Sequence, residues 1–278
     1  MVCAGLAPHF RALEIRHSKF KITAIPQMYN SRPSFFNNIP PITKNLLIIN
    51  ILIWAFMALL PAADRVLDKY FALYFFSSPA FQPYQLFTYM FLHGGFMHLF
   101  FNMFALLMFG RTIEYTMGSG RFLFYYISCG ICAALVQMGI FALYINNLQG
   151  LMLPEQLSIV YEQGYGVLAR GFNYSDPDMA ALNAFINTPM VGASGAIYGV
   201  LLAFGFLYPN MPVYLFFIPV PIKSKWLIIG YFVLELLYGI SGSADGVAHF
   251  AHLGGMIFGF LMLLYWKKKG VFRNHWFF

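Results

Sequence analysis

Charged residues are scarce in this chain, and that scarcity sets the class of protein. Asp, Glu, Lys and Arg together make up 10% of the 278 residues, whereas soluble domains contain roughly 25%. Apolar residues make up 60% of the chain, and its mean hydropathy is +0.65. So little charge cannot cover a surface that faces water along the whole length, which excludes an ordinary soluble domain.

Cysteine is also rare, and the excess of basic residues is confined to a few places. The chain has three cysteines, which do not suggest a disulfide framework. Cys129 and Cys132 lie three positions apart in an apolar run, so we expect a buried helix there rather than a redox or metal pair. The net charge of +7 does not indicate nucleic-acid binding, because the basic residues gather in particular connections.

The apolar residues form blocks long enough, at about 20 residues, to cross a bilayer. Six such blocks are present: residues 44–61, 96–116, 122–145, 190–208, 226–241 and 247–266. The sequence therefore predicts an all-α membrane protein, a bundle of six transmembrane helices. We expect a membrane domain over 44–266, between a basic N-terminal tail (1–43) and a basic C-terminal tail (267–278).

Basic residues alternate between the connections, which predicts an orientation. The tails and the second-to-third and fourth-to-fifth connections are basic, whereas 62–95, 146–189 and 242–246 are balanced or acidic. By the positive-inside rule, both termini lie in the cytoplasm or its equivalent. We expect a multi-pass protein of a bacterial cell membrane. The acid-poor N-terminal region contains no signal-peptide core, and an organellar transit peptide stays open as an alternative.

The longer connections carry their own structural signals. The aromatic-rich segment 62–95 favours short helices in the headgroup region, and 146–189 is more polar, with "YSDPD" as a turn cluster. The segment "YPNMPVYLFFIPVPIKSKW" contains four prolines and cannot form a continuous helix.

Three polar clusters interrupt the predicted spans near their outer ends. They are His93, His98 and Asn102 in "HGGFMHLFFN", Ser194 in "GASGAIYG", and His249 and His252 in "AHFAHLGGMIFG". Polar groups at membrane depth are expensive and usually functional. The clusters would therefore meet just below the outer surface.

Small residues predict how these clusters come together. Two pairs of glycines, each with a spacing of four, form ridges that let transmembrane backbones approach closely: Gly195 with Gly199, and Gly255 with Gly259. His252 shares a face with the second pair. If the two ridges pack against each other, the imidazole of His252 is brought toward the hydroxyl of Ser194.

These residue types are the parts of a serine hydrolase. A serine hydroxyl becomes a nucleophile when a base removes its proton, and an imidazole suits that task near neutral pH. A serine at a helix start offers backbone N–H groups that have no intrahelical partners. His98 and Asn102, four positions apart on one helix face, supply further donors for an oxyanion.

The three quoted segments, in this order and membrane polarity, resemble the rhomboid intramembrane serine proteases over most of 44–266. G-x-S-G alone is a weak signal, but H-x-x-x-N and A-H-x-x-G-x-x-x-G accompany it. The resemblance implies a six-helix core, a cavity open to the outer face and a Ser–His dyad that needs no acidic third member. It implies these roles: Ser194 as nucleophile, His252 as general base and acid, His98, Asn102 and the Ser194 N–H as the oxyanion hole, and Tyr198 stacked on His252.

Other residues depart from that pattern or fall outside it. Tyr84-Gln85 stands where many members have Trp-Arg, which puts the stability or lipid contact of the first outer loop in doubt. Glu114, with Gly118 after it, looks like the family's second-span ending. We expect Glu235 to form a structural hydrogen bond, Asp245 to be a solvated turn residue, and His93 and His249 to give structural support.

Two other functions stay open from the sequence. A metal-dependent protease or transporter could use the four histidines, although the chain lacks H-E-x-x-H and we expect no carboxylate near them within the spans. A catalytically silent rhomboid-like protein could bind membrane clients. For the protease we expect transmembrane protein substrates, a bilayer, no nucleic acid, no cofactor and no metal, with the fifth span as a movable gate. The oligomeric state is left open.

Overall fold

Helices dominate the computed structural model, which describes residues 38–215, 218–241 and 247–272. Within that part of the chain, five helical segments are long and apolar enough to cross a membrane: Pro41–Leu59 (α1), Phe96–Met117, Ser119–Gln149 (α6), Ser224–Ser241 (α10) and His249–Lys268 (α11). The second segment consists of α4 (Phe96–Ala105), a π-helical turn (Leu106–Gly110) and α5 (Arg111–Met117). These segments confirm the prediction of an all-α membrane bundle.

The remaining apolar helix, α9, is shorter than the sequence suggested. It covers Ser194–Leu207 rather than the predicted block 190–208. Its 14 residues would rise about 21 Å, less than the ~30 Å of bilayer hydrocarbon. The four residues before it are not helical, so Ser194 is the first residue of a helix that lies among the other spans.

Both long connections, called outer after the predicted orientation, contain helices. In the first lie α2 (Pro61–Phe71), the short α3 (Gln85–Thr88) and a 3₁₀ turn, in agreement with the expected short helices. The second contains α7 (Pro154–Ala169) and α8 (Pro177–Asn187), where the sequence predicted only a polar connection with a turn. The "YSDPD" cluster is where α8 begins: the Asp176 carboxylate accepts from the N–H groups of Asp178 and Met179, as an N-cap does.

The proline-rich connection between α9 and α10 forms a small hairpin. Strands β1 (Pro212–Leu215) and β2 (Ile218–Lys223) pair in antiparallel fashion, with Pro212 opposite Lys223. The sequence excluded a continuous helix here but did not predict strands. Asp245, expected in a turn before α11, lies outside the described residues.

A buried carboxylate ties three helices together at the basic side of the bundle. Glu114 of α5 accepts from the N–H groups of Ile42 and Thr43 at 2.9 and 2.7 Å, at the start of α1. It also accepts from the Ser119 hydroxyl of α6 at 2.7 Å. Gly118 lies between α5 and α6. Its φ is +81°, a backbone conformation that residues other than glycine rarely adopt.

Helices α6, α9 and α11 form the centre of the bundle, and glycines set their separation. A Cβ at Gly255 would overlap the carbonyl oxygen of Gly195, so α9 and α11 are in backbone contact there. A Cβ at Gly199 would lie 2.6 Å from the Cys129 sulfur and 3.2 Å from the Gly255 oxygen. Gly259 faces the Tyr125 hydroxyl of α6 instead of α9. The ridges therefore bring together three helices rather than the two that the spacing suggested.

Candidate active site

The segment before α9 is held in place by the first outer loop. Leu73 and Met190 exchange two backbone hydrogen bonds of 2.9 and 2.8 Å. The Gly192 N–H donates to the backbone carbonyl oxygen of Tyr89 at 3.0 Å. Gly192 has φ +129°, and a Cβ there would lie 2.8 Å from two atoms of the His98 ring. Only glycine suits both the backbone conformation and the space. These contacts fix where the chain enters α9 at Ser194.

The Ser194 hydroxyl and the His252 imidazole are in contact. Their Oγ and Nε2 atoms are 2.8 Å apart, a hydrogen-bond distance. His252 is 7% exposed, whereas Ser194 is half-buried. The first turn of α11 is fixed by Gln137 of α6, whose side-chain oxygen accepts from the Ala251 N–H at 2.9 Å. This geometry allows the imidazole to take the hydroxyl proton.

Tyr198 lies one helical turn after Ser194 and covers the imidazole. Its ring stacks on that of His252, with a centroid distance of 4.2 Å and an angle of 8° between the planes. Its hydroxyl donates to a carboxylate oxygen of Glu235 on α10. Tyr198 therefore contacts both the histidine and the acid beside it.

Glu235 lies closer to the site than the sequence reading expected. Its Oε2 is 3.0 Å from His252 Nδ1 and 2.6 Å from His249 Nδ1, and its side chain is 10% exposed. The expectation that no carboxylate lies near these histidines is therefore wrong. Glu235 and His252 lie on different helices, so their spacing along the chain could not show that they are in contact. The sequence indicated a special role for Glu235 only because an acidic residue inside a membrane span is unusual.

One side chain of α4, His98, borders the space beside Ser194, and Asn102 lies one turn further along the same helix. The His98 ring lies against Gly192, and a Cβ at Gly192 would be 3.7 Å from the Ser194 Oγ. Asn102 is 6% exposed, and among the described residues its side-chain nitrogen has no hydrogen-bond partner. A buried donor without a partner is unusual in a folded protein. The first N–H groups of α9 also lack partners within that helix.

Comparison with known proteins identifies the family. The family model described as the Rhomboid domain matches residues 80–269. This chain belongs to the rhomboid family. It is also similar to "Rhomboid protein 1, mitochondrial" of Saccharomyces cerevisiae, at 28% identity over 254 residues. That alignment covers 87% of this chain and 60% of the yeast protein. This chain therefore spans less than two thirds of the length of that relative.

Family membership establishes the general class of the protein. A rhomboid with these helical spans is an integral, multi-pass membrane protein. The roles of the individual site residues stay predictions.

Gln85 shows how this rhomboid supports its first outer loop without the family's arginine. The side chain is fully buried, and its nitrogen donates to the carbonyl oxygens of Tyr70 and Ala80 at 3.2 and 2.9 Å. Its oxygen accepts from the Gln82 N–H at 3.1 Å. The amide therefore joins distant parts of the loop from inside. The neighbouring Tyr84 is exposed.

His93 lies behind His98 and away from the hydroxyl. It is 2% exposed, and its ring meets that of His98 edge to face at 5.1 Å. Burial, with a smaller contribution from His98, lowers the pKa of His93 from its ordinary value to about 3. A neutral, buried ring that packs on His98 fits the structural support expected from the sequence.

A metal could be held by one group of side chains in the described part of the chain. Glu235, His249 and His252 each offer one ligand atom, and these atoms lie within 4.8 Å of one another. His93 and His98 do not belong to this group, so the four-histidine site considered from the sequence does not form. The Glu235 oxygens already have partners in the Tyr198 hydroxyl and the His249 ring, which favours a network of side chains over a metal site.

Proposed function

We propose that this rhomboid is an intramembrane serine endopeptidase that cleaves transmembrane segments of membrane proteins. Ser194 is the nucleophile, and His252 is the general base and then the general acid. The observation that carries this proposal is the contact of 2.8 Å between Ser194 Oγ and His252 Nε2. Serine becomes nucleophilic when a base at this distance takes its proton.

The reaction follows from the positions of the surrounding groups. Ser194 Oγ attacks the peptide carbonyl while its proton passes to His252 Nε2, and the carbonyl oxygen becomes an oxyanion. The donors of His98, Asn102 and the Ser194 N–H stabilise that oxygen. Where such a donor has been removed in other enzymes, the loss is roughly 3–4 kcal/mol of transition-state stabilisation. His252 then protonates the leaving amine. In the second half of the reaction, His252 takes a proton from a water molecule that attacks the acyl-enzyme, and returns it to Ser194 Oγ as the carboxylic acid product leaves.

The substrate must lose its helical hydrogen bonds before it can be cut. A transmembrane helix satisfies each of its backbone carbonyls internally, so a segment that unwinds near the cut suits this site. We place its lateral access beside α10, as the movable gate. Large apolar side chains are exposed along this helix: Trp226, Ile229, Val233, Leu234, Leu237 and Ile240.

The membrane and its orientation are part of the proposal. The basic connections place the tails 1–43 and 267–278 on the cytoplasmic side or its equivalent, with the membrane domain 44–266 between them. The site then opens to the opposite face. The mitochondrial relative makes a mitochondrial membrane an alternative to the bacterial one. The test is to introduce cysteines into the two tails and to label them with a membrane-impermeant thiol reagent, before and after the cells are permeabilised. Labelling that appears only after permeabilisation places the tails on the cytoplasmic side.

Replacement of the nucleophile tests the function. We expect Ser194→Ala to abolish cleavage of a reconstituted transmembrane substrate and labelling by a fluorophosphonate, because the alanine offers no oxygen for attack. The measurement is product formation on gels, with purified full-length protein.

The matched control is Ser158→Ala, at an exposed serine of α7 whose hydroxyl contacts only Glu162 among the hydrogen bonds described. It should cleave at the wild-type rate. Cleavage by Ser194→Ala would contradict the proposal, and so would a wild-type protein that neither cleaves nor takes the label.

A further inference from the structure

We propose that Glu235 is a positioning residue that acts through His252 and completes a Ser194–His252–Glu235 triad. This inference rests on the proposed serine protease function and adds to it an acid that the dyad mechanism does not need. The two ring nitrogens of His252 face different partners: Nε2 faces the Ser194 hydroxyl at 2.8 Å, and Nδ1 faces Glu235 Oε2 at 3.0 Å.

This arrangement selects the useful tautomer of His252. An imidazole that removes a proton through Nε2 must carry its own proton on Nδ1. A carboxylate beside Nδ1 favours that proton, and it also stabilises the imidazolium that forms when the serine attacks. The Nδ1 and Oε2 atoms lie at ion-pair distance without the alignment of a hydrogen bond. A rotation of the ring or the carboxylate would align them during the reaction.

The carboxylate is itself held from two other sides. The Tyr198 hydroxyl donates to Oε1, and the His249 Nδ1 lies 2.6 Å from Oε2. A buried carboxylate without partners would be strongly unfavourable, so these two contacts explain how Glu235 is kept in a span. Because Tyr198 also stacks on the His252 ring, the tyrosine, the acid and the histidine form a closed set of mutual contacts.

The position of each element makes the contact specific. Glu235 comes from α10, Tyr198 from α9 and His252 from α11, so three helices must be in place before the carboxylate reaches the imidazole. If α10 moves to admit a substrate, the acid moves with it. The triad is then complete only when α10 returns to the bundle, which links substrate access to the competence of the site.

The test compares Glu235→Gln and Glu235→Asp with the wild-type chain in kcat, KM and the rate of fluorophosphonate labelling. Glutamine keeps the shape and can still accept from Tyr198, but it carries no charge. We expect kcat and the labelling rate to fall on the order of 10- to 100-fold with KM unchanged, less than the ~10⁴-fold known for loss of the acid from a soluble triad. Aspartate restores the charge with a shorter reach, and it should recover part of kcat.

A second buried glutamate provides the control. Among the described residues, the hydrogen bonds of the Glu114 carboxylate all go to the first residues of helices α1 and α6, so Glu114→Gln should lower the melting temperature and leave kcat unchanged. Wild-type kcat and labelling in Glu235→Gln would overturn the triad while Ser194→Ala still supported the protease. If Glu235→Gln does not fold, Glu235→Met, which has a similar length and no charge, takes its place, and wild-type kcat in that variant overturns the proposal. Activity that is lost with a chelator and returns with zinc would also overturn it.

Discussion

At the scale of single residues, the site depends on side chains that each make two contacts. His252 contacts Ser194 through one nitrogen and Glu235 through the other. Tyr198 stacks on His252 and donates to Glu235. Each of these side chains is therefore fixed by a neighbour that has its own role. Substitutions can separate the two contacts of Tyr198, because phenylalanine keeps the ring and removes only the hydroxyl.

We expect Tyr198→Phe to lower kcat roughly fivefold, because one hydrogen bond of about 1 kcal/mol is lost. Tyr198→Leu should lower kcat by at least roughly tenfold relative to the wild type, because it also removes ring stacking worth about 0.5–1.5 kcal/mol. The check is kcat on a transmembrane substrate, with Tyr161→Phe on the outer helix α7 as the control. Equal kcat in the phenylalanine and leucine variants would show that the stack does not position His252.

At the scale of elements, the first outer loop is an internally hydrogen-bonded unit that holds the segment before Ser194. The Gln85 amide joins the end of α2 to the turn that contains Ala80. Leu73 of this loop pairs with Met190, in the segment before Ser194. The sequence predicted helices in this region but could not show that Gln85 is buried. An amide can donate and accept at the same time, which is why glutamine can support the loop here.

We expect Gln85→Ala to destabilise the protein by about 1–3 kcal/mol, because partly buried backbone groups at Tyr70, Ala80 and Gln82 lose the fully buried amide as their partner. The loop should also become a site of proteolysis. Melting curves and limited digestion in detergent measure both effects. Gln82→Ala is the control, since that side chain is exposed in the same loop. Equal stability of the two variants would contradict the role given to the buried amide.

At the scale of the whole molecule, three helices from distant parts of the chain approach at the glycines of α9 and α11. The contact of Gly255 with the Gly195 carbonyl involves backbone on both sides, so neither partner can turn away as a flexible side chain can. This approach brings His252 to Ser194. The proposed activity of the site therefore depends on a packing distance between helices as well as on its polar residues.

We expect Gly255→Ala to lower stability by about 1–3 kcal/mol, as overpacking of a core does, and to reduce kcat because α11 is displaced from α9. Gly139→Ala in α6 is the matched control, since a Cβ there meets nothing within 4 Å. It should keep or slightly raise the melting temperature, because alanine favours helix. Melting curves and kcat decide, and a Gly255→Ala variant with both wild-type values would exclude close packing at this point.

The sequence by itself determined the class of the protein. The scarcity of charge and the long apolar blocks required membrane helices, since a bilayer leaves a chain few other structures. Local spacing placed His98 with Asn102 and Ser194 with Tyr198 on common helix faces, because four residues make about one turn. The glycine spacing suggested that Ser194 and His252 meet, and the resemblance to a family supplied the roles expected of the pair.

The tertiary structure decided everything that depends on contact between helices. It moved the start of α9 to Ser194, placed Gly259 against Tyr125 of α6, and set Glu235 beside His252. No periodicity along the chain predicts these contacts, because the order of helices around a bundle is set by the packing of their surfaces. A carboxylate on α10 becomes part of a site only when that packing brings it within reach of an imidazole on α11.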